Sequence, residues 1–210
     1  MSDEQAWDAR YQENHRIWSG NPNVALVAEI AGLTPGRALD LGCGEGADAV
    51  WLARQGWQVT AADISGVALQ RAAEHAAEAG VTVDWQRHDL EQTFPAGEFD
   101  LVSAQFLHFW EEFDREKILR RAADSVAVDG ILLIEGHMDH GPFRYEGHGV
   151  GHGHEQQHLH FPTPDEVINA LALGDDWETL KAEVHPREQQ GPDGENHTRT
   201  DSTVKLRRKA

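Results

Sequence analysis

The chain has a single cysteine, Cys43, so no intramolecular disulfide can form, and this usage predicts a cytoplasmic setting. It has no apolar run approaching the roughly 20 residues of a membrane span. Its first residues, Ser2 to Gln5, are polar, which predicts no secretory leader. Positive charge is scarce: Lys and Arg number 18 against 36 Asp and Glu, a formal net charge of −18. Nucleic acid and anionic membrane both need a basic face, so neither is an expected partner. The cluster Arg207-Arg208-Lys209 is too small to reverse that balance. No period of about 20–50 residues repeats. At 210 residues, with 40% hydrophobic content, the chain suits one domain, 1–210, with a sizeable core.

Its centre is the stretch from Arg37 to Gly46: a short apolar run, an acid, then three glycines at alternate positions. Ala38, Leu39 and Leu41 predict a buried strand of a parallel sheet. Gly42, Gly44 and Gly46 let the backbone turn tightly and approach a ligand where a Cβ would obstruct it. Ala47 to Arg54 predicts a helix packed on that sheet. Strand, glycine turn and helix start together make a nucleotide-cofactor site.

Upstream, Trp7 and Tyr11 are four residues apart and share a helix face. Asn21-Pro22-Asn23 precedes a helix that Gly32 closes. Residues 1–33 are therefore a candidate helical lid, or simply aromatics packed on the core. Downstream, Gln58 to Asp63 predicts a second strand, Ser65 caps a helix to Ala79, and Gly80 stops it. Strands follow at 81–88 and 98–104, then a helix from Asp114 to Val128 and a fifth strand at 130–135. This alternation predicts an α/β doubly wound parallel sheet. The segment 136–162 is rich in His and Gly and predicts a long loop. Thr163-Pro164-Asp165-Glu166 opens a capped helix. Two late strands around 179–185 and 198–206, within 177–208 and with a turn at Pro192-Asp193-Gly194, predict an antiparallel hairpin at the sheet edge.

Asp40, Asp63 and Asp89 fall at the C-terminal ends of strands one, two and three, where open α/β sheets bind ligands. Asp63 suits two ribose hydroxyls. Asp89 suits an adenine amino group, with the Leu90 N–H on the ring, and Asp40 suits a cation. Acids around a ligand are costly unless it is partly positive, which favours S-adenosylmethionine over a pyrophosphate. The alternative is an NAD-dependent oxidoreductase, because Gly42-x-Gly44-x-x-Ala47 fits the looser dinucleotide fingerprint.

The motif Asp40-Leu-Gly-Cys-Gly-Glu-Gly46, the acid at Asp63 and the His88-Asp89-Leu90 step resemble a class I S-adenosylmethionine-dependent methyltransferase. The closest branch is the tellurite-resistance and thiopurine-like methyltransferases, similar also at His197-Thr-Arg-Thr-Asp201. The resemblance implies a Rossmann-like, seven-stranded, mostly parallel sheet of order 3-2-1-4-5-7-6 with helices on both faces. It implies cofactor contacts from Gly42, Cys43, Gly44, Asp63, Ile64, Asp89, Leu90 and Gln105. An N-terminal aromatic, Tyr11 or Trp18, covers the methionine end. The acceptor is expected to be a small molecule, methylated by in-line displacement.

A general base is needed only if the acceptor carries a proton to remove. His108 follows strand four, and His137 and His140 follow strand five, so these three are the candidates. His108 also sits in an aromatic run, Phe106 to Trp110, and suits a packed core position. Cys43 reads as a small side chain that fits the turn, not a nucleophile. Seven of the 13 histidines lie between Gly136 and His160. Spacings such as His148-x3-His152-x-His154-x3-His158 raise weak divalent-metal binding, and with it a metal-responsive binding protein on the same fold. The glycines between them oppose a fixed ligand set, so no residue is assigned as a metal ligand.

Overall fold

In the computed structural model, placement is described for residues 3–14, 16–107, 114–138, 160–190 and 195–210. Two short helices, α1 (Asp3–Glu13) and α2 (Val24–Glu29), lead into an alternating run. It comprises β1 (Arg37–Leu41), α3 (Ala47–Arg54), β2 (Gln58–Asp63), α4 (Gly66–Ala79), β3 (Asp84–Arg87), β4 (Phe99–Gln105), α5 (Arg115–Asp124) and β5 (Val126–His137). Then come α6 (Pro164–Leu171), β6 (Trp177–Gln190) and β7 (Asn196–Arg208). The sheet order is β3-β2-β1-β4-β5-β7-β6, as the resemblance implies. Among the described strands, β7 alone runs opposite to the rest, antiparallel to both β5 and β6.

Each central strand is buried on both faces, which is why its sequence reads as a continuous apolar run. On one face Leu39, Leu41, Val102, Leu132, Ile134, Val204 and Leu206 pack with α5 and α6. On the other, Ala38, Ala61, Leu101, Ile131 and Leu133 pack with Leu26, Ile30, Ala49 and Leu52 of the α2–α3 layer. Side chains alternate between faces, so the register carries polar residues onto that second face at the strand ends. Asp40 pairs with Ser103, Gln105 with Glu135, Glu135 with Thr203, and His137 with Asp201.

Several boundaries differ from the sequence expectation. The third strand is Asp84–Arg87, not 81–88. The Val81 N–H is used at the end of α4, bonded to Ala76 O at 3.0 Å. The helix after Asp114 ends at Asp124, not Val128. Ser125 folds its hydroxyl back onto Ala122 O at 2.7 Å, and Val126 then pairs with Phe99 to begin β5. β5 extends to His137, so Gly136 and His137 belong to a strand and not to the His-rich loop. Both hairpin strands are longer than expected, because pairing continues from Trp177 opposite Arg208 to Gln190 opposite Asn196. The caps at Ser65, Gly80, Asp114 and the Thr163–Glu166 capping box form as expected.

Candidate functional site

The site is assembled at the C-terminal edge of the parallel strands. The glycine turn leaves β1 with Gly42 and Gly44 at φ 71° and 51°, in the left-handed region that glycine adopts without strain. The N–H groups of Gly42 and Cys43 both bond to Ala62 O, at 2.8 and 3.1 Å, so the turn folds back over the end of β2. Asp63 closes the loop. Its Oδ2 accepts from Gly44 N–H at 2.8 Å, and its Oδ1 from Ser65 N–H at 2.9 Å. A Cβ on Gly42 would lie 2.7 Å from Leu107 Cδ1. One on Gly44 would lie 3.0 Å from the Tyr11 hydroxyl and 3.1 Å from Trp18 Nε1.

The N-terminal segment therefore packs directly on the turn. Trp7 and Tyr11 share one face of α1, with ring centroids 6.0 Å apart. Tyr11 is buried, and its hydroxyl accepts from Trp18 Nε1 at 3.0 Å. Glu45, inside the glycine motif, accepts from the N–H groups of Ile17 and Trp18, each at 3.2 Å. Arg71 of α4 bonds Glu45 at 2.9 Å and Tyr11 O at 2.6 Å. Asp8 accepts from the Ser65 hydroxyl at 2.5 Å and Val67 N–H at 3.2 Å. Asn23 grips both oxygens of Asp48 at 2.7 Å.

Electrostatically the turn is a nest of carboxyls. Asp40 is only 2% exposed, and its Oδ2 has no hydrogen-bond partner among the described residues. Burial, then the nearby Asp48 and Asp63, push its pKa well above the usual carboxylate range. Burial likewise raises Asp63, against the N–H bonds from Ser65, Gly44 and Ile64. Burial and the same acids push the Cys43 thiol up, which disfavours the thiolate a nucleophile needs. A cation beside these acids would restore their charge. An orphaned carboxyl oxygen beside a glycine cradle thus fits a cationic ligand and opposes a pyrophosphate.

Beyond the turn, Ile64 is half-buried after β2, and Leu90 is buried. Asp89 is exposed, its Oδ1 accepting from Glu91 N–H at 3.1 Å. Gln105 is buried at the end of β4; its Nε2 donates to Ser103 Oγ at 3.1 Å, while Oε1 has no partner among the described residues. His137 ends β5, with Nδ1 2.8 Å from Asp201 Oδ1. Its ring stacks on Phe106, centroids 4.5 Å apart. His108, His140 and the loop histidines 148, 152, 154 and 158 lie outside the described residues. His160 is exposed and 3.2 Å from Glu166. Among the described residues no group of three or more His, Cys, Asp or Glu is placed to hold a metal ion.

Several site residues escaped sequence reasoning. Glu45 was visible only as one residue of the glycine motif, with no role assigned. Phe106, Glu135, His185, Arg187 and Asp201 meet only because β7 inserts between β5 and β6.

Residues 38–130 match the family model described as a methyltransferase domain. The ubiquinone biosynthesis O-methyltransferase of Escherichia coli O157:H7 (strain EC4115 / EHEC) is 34% identical over 135 residues, covering 61% of this chain and 54% of that relative. The chain spans about half the length of the curated relatives it matches. A solved structure concerned with conversion of a disulfide bond into a thioacetal group during echinomycin biosynthesis aligns with a TM-score of 0.74 at 24% identity, covering 99% of this chain and 92% of that one. The N-methyltransferase NodS from Bradyrhizobium japonicum WM9, in complex with S-adenosyl-L-homocysteine, aligns over 99% of both chains with a TM-score of 0.66 at 19% identity.

Proposed function

We propose that this chain transfers a methyl group from S-adenosylmethionine to a small-molecule acceptor by in-line displacement; the match of residues 38–130 to a methyltransferase-domain model and the 3-2-1-4-5-7-6 sheet order support this reading. The observation that carries this reading is the oxygen of buried Asp40, without a partner among the described residues, within an acid-lined glycine turn. When bound, S-adenosylmethionine supplies an electrophilic methyl group on a sulfonium and leaves as a neutral thioether. Its positive charge suits Asp40.

In this reading Gly42, Cys43 and Gly44 cradle the donor, Asp63 and Ile64 take the ribose side, and Asp89 and Leu90 take the adenine. Gln105 meets the methionine end, which Tyr11 and Trp18 cover. The chain's contribution is chiefly to hold donor and acceptor together and exclude water. The bonds of the N-terminal segment to Glu45, Arg71 and Ser65 support that part, because they hold Ile17, Trp18, Tyr11 and Asp8 over the turn. His137 is the base for an acceptor that must lose a proton.

Calorimetry on the full chain tests the assignment. S-adenosylhomocysteine is expected to bind with a Kd on the order of micromolar, about −8 kcal/mol. The oxidised nicotinamide dinucleotide is expected to give no saturable heat. The reverse pattern would overturn the proposal.

A further inference from the structure

The C-terminal hairpin brings a second group of charged side chains against the end of β5. Asp201 is fully buried in β7, and its two oxygens are both engaged. His137 Nδ1 meets Oδ1 at 2.8 Å, and Arg187 Nε donates to Oδ2. Phe106 stacks on the His137 ring, and the Arg187 guanidinium lies 5.3 Å from the Phe106 ring centre. The two partners of Asp201 are thus bridged by one aromatic ring. Phe106 holds a left-handed φ of 52°, costly for a non-glycine residue, and its N–H is tied to Glu135 O at 3.0 Å. Such a backbone persists when the surroundings over-determine it, and it clusters at functional sites.

We propose that Asp201 is the positioning residue for His137, and that the pair serves an acceptor bearing a hydroxyl of phenol-like acidity; this rests on the methyltransferase reading above. An ionised carboxylate only accepts hydrogen bonds, so the proton of the 2.8 Å contact is on His137 Nδ1. The neutral ring then has its lone pair on Nε2. Burial alone would raise Asp201, but the bonds from His137 and Arg187 hold it below the usual carboxylate range, so it is ionised at neutral pH.

The step balances as follows. The acceptor O–H proton passes to Nε2 of His137, and the oxygen pair forms the bond to the methyl carbon. The C–S bond breaks and its electron pair stays on sulfur. The imidazolium, held against Asp201, later returns its proton to water. A base of imidazole strength suits a phenol or enol, about 3–4 pKa units above it, and not an alkyl alcohol some 9 units above. A thiolate acceptor needs no base.

The test uses the full chain. Imidazole 15N correlation spectra, with His137 assigned by its loss in His137→Gln, should show the Nδ1–H tautomer in the wild type. Asp201→Asn should lose that tautomer. With catechol as acceptor probe, Asp201→Asn and His137→Gln should each lower kcat about 10²–10⁴-fold. KM and S-adenosylhomocysteine affinity should stay within about twofold, and turnover of thiophenol, a thiolate at pH 8, should not fall. Should Asp201→Asn fail to fold, the wild-type tautomer and His137→Gln carry the decision. An Nε2–H tautomer in the wild type, or an unchanged kcat in His137→Gln, overturns the proposal. Failure to turn over catechol in a chain that binds S-adenosylhomocysteine overturns the hydroxyl assignment. A wild type that does not bind S-adenosylhomocysteine instead overturns the methyltransferase reading itself.

Discussion

Arg71 reaches from the second turn of α4 to Glu45 in the glycine motif, with Nη1 and Oε1 2.9 Å apart. Glu45 is 5% exposed and also receives two backbone N–H groups from the N-terminal segment, so one carboxylate joins helix, turn and N-terminal segment. Charge-assisted bonds of this kind contribute about 1.5–3 kcal/mol each. Glu45→Gln should keep the fold but weaken docking of the N-terminal segment on the turn. Hydrogen exchange should show loss of protection at Ile17 and Trp18, and dissociation of S-adenosylhomocysteine should quicken several-fold. Unchanged protection at both amides would remove Glu45 as the link.

Asp63 holds two jobs at once. It anchors Gly44 and Ser65 through their N–H groups, and the proposed reading also gives it the ribose hydroxyls. Asp63→Ala removes an acceptor from two buried donors and should lower S-adenosylhomocysteine affinity at least about 100-fold, a loss of roughly 3 kcal/mol. Asp63→Asn keeps the shape and an acceptor oxygen, so its loss should be smaller. Wild-type affinity in Asp63→Ala would exclude the ribose role.

Glu135 gives stability a pH dependence. It is 1% exposed, and burial raises its pKa to about 7, against the bonds from Thr203 and His185. Its unfolded value is near 4.5, so between about 4.5 and 7 the folded state holds the extra proton. Stability therefore falls as pH rises through that window and levels off above it. Asp201, held below its ordinary value, works the other way only at lower pH, below that window. Melting temperature should be higher at pH 5.5 than at pH 8, and Glu135→Gln should shrink the difference. An equal difference in that variant would assign the effect to Asp40, Asp48 or Asp63, whose burial acts in the same direction.

Cys43 should be a poor nucleophile. Burial, with Asp63 and Asp40 nearby, holds its thiol protonated. A thiol reagent at pH 8 should label the folded chain at least about tenfold more slowly than the urea-unfolded chain. Labelling at equal rates would show an accessible thiolate.

The sequence alone determined the strand-helix alternation, the glycine turn, Asp40 and Asp63, and most helix caps, because these depend on neighbours within a few residues. Leu39 and Leu41 announce a buried strand, and Ser65 and Gly80 announce helix ends, through local geometry. Where a helix ends and a strand starts at Ser125 and Val126 was hidden, since pairing with Phe99 decides it. Tertiary structure alone decided the cluster of His137, Arg187 and Asp201. His137 and Asp201 are 64 residues apart in sequence and meet because β7 enters antiparallel beside β5. Likewise Glu45 found Ile17 and Trp18 only when the N-terminal segment folded back over the turn. Side chains brought together by sheet order leave no periodic trace in the chain, because their spacing is set by packing and not by the local backbone.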